Sequence, residues 1–136
     1  MKRKLVLLNE ISEIGKLPDF VDAAAEEAAL DPAMAMSLNL AIEEAVTNVI
    51  SYAYPPGERG EVVLEADLQD GRLVFVLRDA GKPFDPTAQP LADITLGVED
   101  RPIGGLGIFL VRQIMDAVEY RREQGENILV MTKKIV

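Results

Sequence analysis

The chain has 136 residues, a length that suits one domain, and is 49% hydrophobic, enough to supply a real core. Its formal charge is −9 and no basic patch stands out, which argues against direct nucleic-acid binding and fits a solvated acidic surface, with a basic protein partner as the sharper alternative. His and Cys are both absent, so a Cys or His zinc site, a Cys nucleophile, a Ser-His-Asp triad and an autophosphorylated histidine are all excluded, leaving carboxylates, amides, hydroxyls, Lys and Arg for any chemistry.

The first element is "KRKLVLLNE", residues 2–10, which reads as a strand. Its apolar run, Leu5–Leu8, is shorter than a signal-peptide core, and no apolar run approaches the roughly 20 residues of a membrane helix, so a cytoplasmic protein with no membrane contact is expected. "LPDFVDAAAEEAAL" is Ala/Glu-rich and helical. "DPAMAMSLNLAIEEAVTNVISYAY" opens with Asp31 as N-cap and Pro32 at the first helical position, and stops at "PPG". "GEVVLEADLQDGRLVFVLRDAG" is two β-rich runs around Asp70-Gly71, a hairpin signal. "KPFDPTAQPLADITLGVEDRPI" is long, Pro-rich and aperiodic; a loop of such length in a compact domain is usually a functional lid or a disordered segment. "GGLGIFLVRQIMDAV" reads as a Gly-opened helix, and "VEYRREQGENILVMTKKIV" as a second hairpin turning near Gly125. The order β-α-α-β-β-loop-α-β-β predicts an α+β fold, a two-layer α/β sandwich with helices on one face of a mixed, mostly antiparallel sheet.

Three stretches carry candidate chemistry. On the second helix, Leu38, Ile42, Ala45, Val46 and Val49 share a face that must be core. Ser37, Glu44, Asn48 and Ser51 share an adjacent stripe, while Glu43 lies away from it; the Glu44–Asn48 pair is either a ligand wall or a solvated flank. Asp79, in "LRDAGKPFDP", closes a strand before Gly81. A buried carboxylate there can accept a hydrogen bond from an exocyclic amine such as adenine's, or can simply shape an Asp-x-Gly turn. "GGLG", residues 104–107, opens a helix. Glycine lets backbone N–H groups approach an anion at a helix N-terminus, and equally makes a lid hinge. It is neither a P-loop, since no Gly-Lys-Ser/Thr follows, nor the dinucleotide fingerprint, since Leu110 stands where its last Gly would be.

Taken together, Glu-Ala-x-x-Asn at 44–48, Asp-x-Gly-x-Pro-Phe-Asp-Pro at 79–86, and Gly-Gly-x-Gly followed by "FLVRQIMDAVEY" resemble the GHKL ATPase superfamily, most closely the single-domain anti-sigma-factor serine/threonine kinases. The likeness runs from about Leu38 onward; before that only the element order agrees. It implies a histidine-kinase-like ATP-binding domain over residues 1–136 with the Bergerat-type fold, and a lid at about 85–103, its body Thr87 to Ile103. It implies Asn48 as the Mg²⁺ ligand, Glu44 as the base that takes a serine proton, Asp79 as the acceptor for the adenine amine and Gly81 as the close approach to the base. Gly104, Gly105, Leu106 and Gly107 would meet the phosphates, and Arg101 in the lid is a candidate for phosphate charge. ATP and Mg²⁺ are the implied cofactors. An anti-anti-sigma (STAS-like) protein and a sigma factor are the implied partners, with a homodimer suggested. Two positions depart from the family pattern: Tyr52 replaces the usual His, and Asn127 and Ile128 stand in the region of a usual Thr near adenine. The competing functions are a kinase that also sequesters a sigma factor, a non-catalytic nucleotide-gated binding module, and a histidine-kinase-like domain acting on a separate chain. The absence of His argues against the last.

Overall fold

Period-2 patterning in the strands and Gly-containing turns between them build one sheet. In the computed structural model, which describes residues 2–88 and 105–135, the strands are β1 (Lys2–Leu8), β2 (Glu61–Gln69), β3 (Arg72–Asp79), β4 (Ala117–Glu123) and β5 (Glu126–Lys134). The helices are α1 (Leu17–Glu27), α2 (Pro32–Tyr52) and α3 (Gly105–Ile114), with short 3₁₀ turns at Ile11–Lys16 and Pro86–Ala88. The expected lid beyond Ala88, Arg101 and Gly104 all fall outside the described residues.

The sheet order is β1-β2-β3-β5-β4, and every pairing is antiparallel, a simpler sheet than the mixed one expected. Both hairpins close through two-residue turns. Asp70 and Gly71 have φ of 48° and 75°, and Gln124 and Gly125 have 50° and 80°. Positive φ at both central positions suits the right-handed strand twist, and glycine takes the second position without penalty. These turns fix Gln69 opposite Arg72 and Glu123 opposite Glu126.

The inward set of each strand packs on the helices: Leu64 and Ala66 on β2, Leu73, Phe75 and Leu77 on β3, Leu129 and Met131 on β5. They meet Val21, Ala24 and Ala25 of α1, the expected α2 face of Leu38, Ile42, Ala45, Val46 and Val49, and Ile108 and Val111 of α3. Asp31 caps α2 as expected, its Oδ1 accepting from the Met34 N–H at 2.8 Å. The inward alternation on β3 ends at Asp79, so the same period that builds the core carries a carboxylate to the inner face at the strand end.

Candidate functional site

Asn48 is 7% exposed, on the inner flank of α2, and no group among the described residues hydrogen-bonds its carboxamide. No side-chain polar atom among the described residues is both sealed from water and without a partner, so this carboxamide, although its residue is largely buried, keeps its polar tip open to solvent or to a ligand. Glu44, one turn earlier, is half-buried and has no ion pair among the described residues, whereas Glu43 is exposed. The stripe is therefore a carboxylate and an amide without protein partners among the described residues, rather than a flank wholly in solvent. Ser51, on the same stripe, is exposed.

Asp79 is 3% exposed. Its Oδ1 accepts from the Gly81 N–H and from Asn127 Nδ2, both at 2.9 Å, while Oδ2 has no protein partner among the described residues. Burial pushes the carboxyl above the ordinary Asp value, opposed by the Asn127 and Gly81 hydrogen bonds and by the nearby Arg122 charge. The loop after Asp79 is clamped to the end of α2. The Lys82 N–H donates to the Ala53 carbonyl at 2.8 Å, and a Cβ on Gly81 would lie 2.3 Å from that same oxygen. Glycine is needed here for space against the end of α2, whatever its further role beside a base. Arg122 Nη1 donates to the Gly81 carbonyl at 2.8 Å, and Tyr54 holds the other side of the turn, its hydroxyl donating to the Glu61 carbonyl at 2.8 Å and accepting from the Ala80 N–H at 3.0 Å.

Asn127 sits on β5 directly across from Asp79 and is 4% exposed. Both its amide hydrogens and its oxygen are engaged with Asp79, Lys82, Phe84 and Tyr120. Sequence reading placed Asn127 near the base; its role as a clip needed the β3–β5 pairing, which no local signal discloses. Tyr52, at the position of the family's usual His, lies with its ring centroid 5.7 Å from that of Phe84. Gly105, Leu106 and Gly107 form the first turn of α3, whose early N–H groups have no intrahelical acceptor. Arg112 ties α3 to the 3₁₀ turn, donating to the Thr87 carbonyl at 2.8 Å.

Among the described residues no cluster of three or more acidic side chains could hold a metal. The donor set fits a hard cation bound through a single protein oxygen, as Mg²⁺ is when waters and phosphate oxygens fill the rest of its shell. The carboxamide of Asn48, which has no partner among the described residues, is a group that could supply that oxygen.

Comparison with known proteins decides the family. The histidine kinase-like ATPase domain family matches residues 9–133. The chain belongs to that family. As a histidine kinase-like ATPase domain it is expected to use ATP. It is 36% identical over 100 residues to serine-protein kinase RsbW of Halalkalibacterium halodurans, covering 71% of this chain and 60% of that protein. It is 34% identical over 102 residues to RsbW of Listeria innocua, covering 72% and 64%. It is 30% identical over 96 residues to serine/threonine-protein kinase BtrW of Bordetella bronchiseptica, covering 71% and 68%. The alignments thus span about 60 to 64% of the two RsbW proteins. Among the described residues no helix of this ATPase domain is long and apolar enough to cross a membrane.

Proposed function

We propose that the chain is an ATP-dependent protein serine/threonine kinase that phosphorylates an anti-anti-sigma protein and sequesters a sigma factor. The observation that carries the reading is the state of α2: a buried carboxamide and a half-buried carboxylate, one turn apart, neither used by the described protein. The kinase names of the relatives give the same reading.

In this reading Oδ2 of Asp79 accepts the adenine amine, and Gly105, Leu106 and Gly107, with Gly104 and Arg101, meet the phosphates. Asn48 would hold Mg²⁺, which neutralises phosphate charge when bound. Glu44 takes the proton from the partner's hydroxyl as that oxygen bonds to the γ-phosphorus, the bond to the β–γ bridging oxygen breaks, and ADP leaves.

The test is single-turnover phosphate transfer to candidate antagonists beside a nucleotide titration, for wild type and Glu44→Gln. Glu44→Gln should keep ATP affinity and partner binding and lose about 10²-fold or more in transfer. A wild type that binds ATP yet transfers to no antagonist would instead favour a nucleotide-gated binding module. Transfer by Glu44→Gln at the wild-type rate would return Glu44 to the status of a solvated flank.

A further inference from the structure

Asn127 uses its full hydrogen-bonding capacity inside the protein. Its Nδ2 donates to Asp79 Oδ1 at 2.9 Å and to the Lys82 carbonyl at 2.8 Å. Its Oδ1 accepts from the Phe84 N–H at 3.1 Å and from the Tyr120 hydroxyl at 2.5 Å. The amide can stand only one way round. Flipped, its oxygen would face a carboxylate and a carbonyl, and its NH₂ would face the Phe84 N–H. With no capacity left, Asn127 has nothing to offer a ligand directly.

What it does is arrange Asp79. Oδ1 is taken by Asn127 and the Gly81 N–H, so Oδ2, which has no partner among the described residues and is not sealed from solvent, is the oxygen left for a ligand. The same amide pins the loop on both sides of Pro83, at Lys82 and at Phe84, so the wall beside the carboxylate cannot slide relative to it. Tyr120, on β4, orients the amide from behind.

We infer that Asn127 is a specificity-determining positioning residue: held by Tyr120, it presents one oxygen of Asp79 as a fixed acceptor and so makes the site select purines that carry an amine at position 6. This rests on the reading of Asp79 as the base-recognising carboxylate. It assigns the selectivity to a residue that the nucleotide does not touch.

The experiment is a calorimetric titration of wild type, Asn127→Ala and Tyr120→Phe with ATP and with purine riboside 5′-triphosphate, which has the same ring but no amine. Wild type should prefer ATP. Asn127→Ala should lower that preference by about tenfold, the worth of one hydrogen bond to a charged group, with affinity for the amine-free nucleotide nearly unchanged. A merely loosened pocket would weaken both nucleotides alike and leave the ratio intact, and that result overturns the role of Asn127 while leaving Asp79 in place. A wild type with no preference removes the reading of Asp79, and this inference with it. If Asn127→Ala does not fold, Tyr120→Phe decides. It deletes only the hydroxyl behind the amide and should reduce the ratio about two- to threefold; an unchanged ratio there overturns the inference.

Discussion

Gly81→Ala tests the contact on which the loop after β3 depends. The added Cβ would meet the Ala53 carbonyl oxygen at 2.3 Å and its carbon at 2.7 Å, and both are backbone atoms at the C-cap of α2, so no side chain can swing aside. Two effects of opposite sign compete. Gly81 is not among the glycines with positive φ, so alanine can adopt its conformation and restricts the unfolded chain, a gain of about 0.4–1 kcal/mol. Against this stand overpacking, about 1–3 kcal/mol, and the weakening of the 2.8 Å Lys82 N–H to Ala53 hydrogen bond, about 1 kcal/mol. The steric terms win by about 1–3 kcal/mol, a fall in melting temperature of roughly 4–12 °C for a chain of this size. Gly15→Ala is the matched control. Nothing lies within 4 Å of its Cβ position and its φ is not positive, so it should be neutral or stabilising by about 0.4–1 kcal/mol. Urea denaturation with thermal melts reads both. If Gly81→Ala behaves like Gly15→Ala, the close approach of loop and helix is not what holds this turn.

Asp79→Asn should weaken ATP more than GTP, since adenine offers an amine where guanine has a carbonyl; equal losses would leave Asp79 only a turn former. Burial raises the Asp79 carboxyl above 3.8, so the folded protein binds the extra proton in the window above that value, and this group's contribution to stability falls as pH rises through it. Asp79→Asn should therefore flatten the melting-temperature profile across that window and be no less stable than wild type at pH 7, while wild-type ATP affinity should fall as acid protonates the carboxylate. Asn48→Ala should abolish the Mg²⁺-dependent part of ATP affinity with the fold intact, and calorimetry with and without a chelator would show whether any such part survives. Tyr54→Phe removes the hydroxyl that bridges Glu61 and Ala80 and should cost about 1–2 kcal/mol in urea denaturation.

The parts of the fold legible in the sequence are those governed by local rules. Asp31 with Pro32 marked the start of α2, Asp70-Gly71 and Gly125 marked the hairpin turns, and the helical period placed Ile42, Val46 and Val49 in the core. The site was legible to the extent that it lies on those elements: the period of α2 put Glu44 and Asn48 on one stripe, and strand alternation carried Asp79 inward. The 3₁₀ turn at Ile11–Lys16 was missed because it carries no periodic apolar pattern. The clip at Asn127 and the fit of Gly81 against Ala53 depend on contacts across 48 and 28 residues, and nothing in either neighbourhood encodes its partner. Gly81 and Asn127 both stand out in the sequence, and packing gives each a further structural role, against the end of α2 and beside Asp79.

The strand order has a bearing on how the protein is made. β5 is the last strand in chain order, yet it lies in the interior of the sheet, between β3 and β4. A nascent chain that has emerged only as far as β3 holds Asp79 without Asn127, with the long edge of β3 unpaired and open to any other extended chain. On the proposed roles of Asp79 and Asn127, nucleotide selectivity would wait for completion of the sheet, and a chaperone that shields the β3 edge until β5 arrives would protect the residues proposed to read the base.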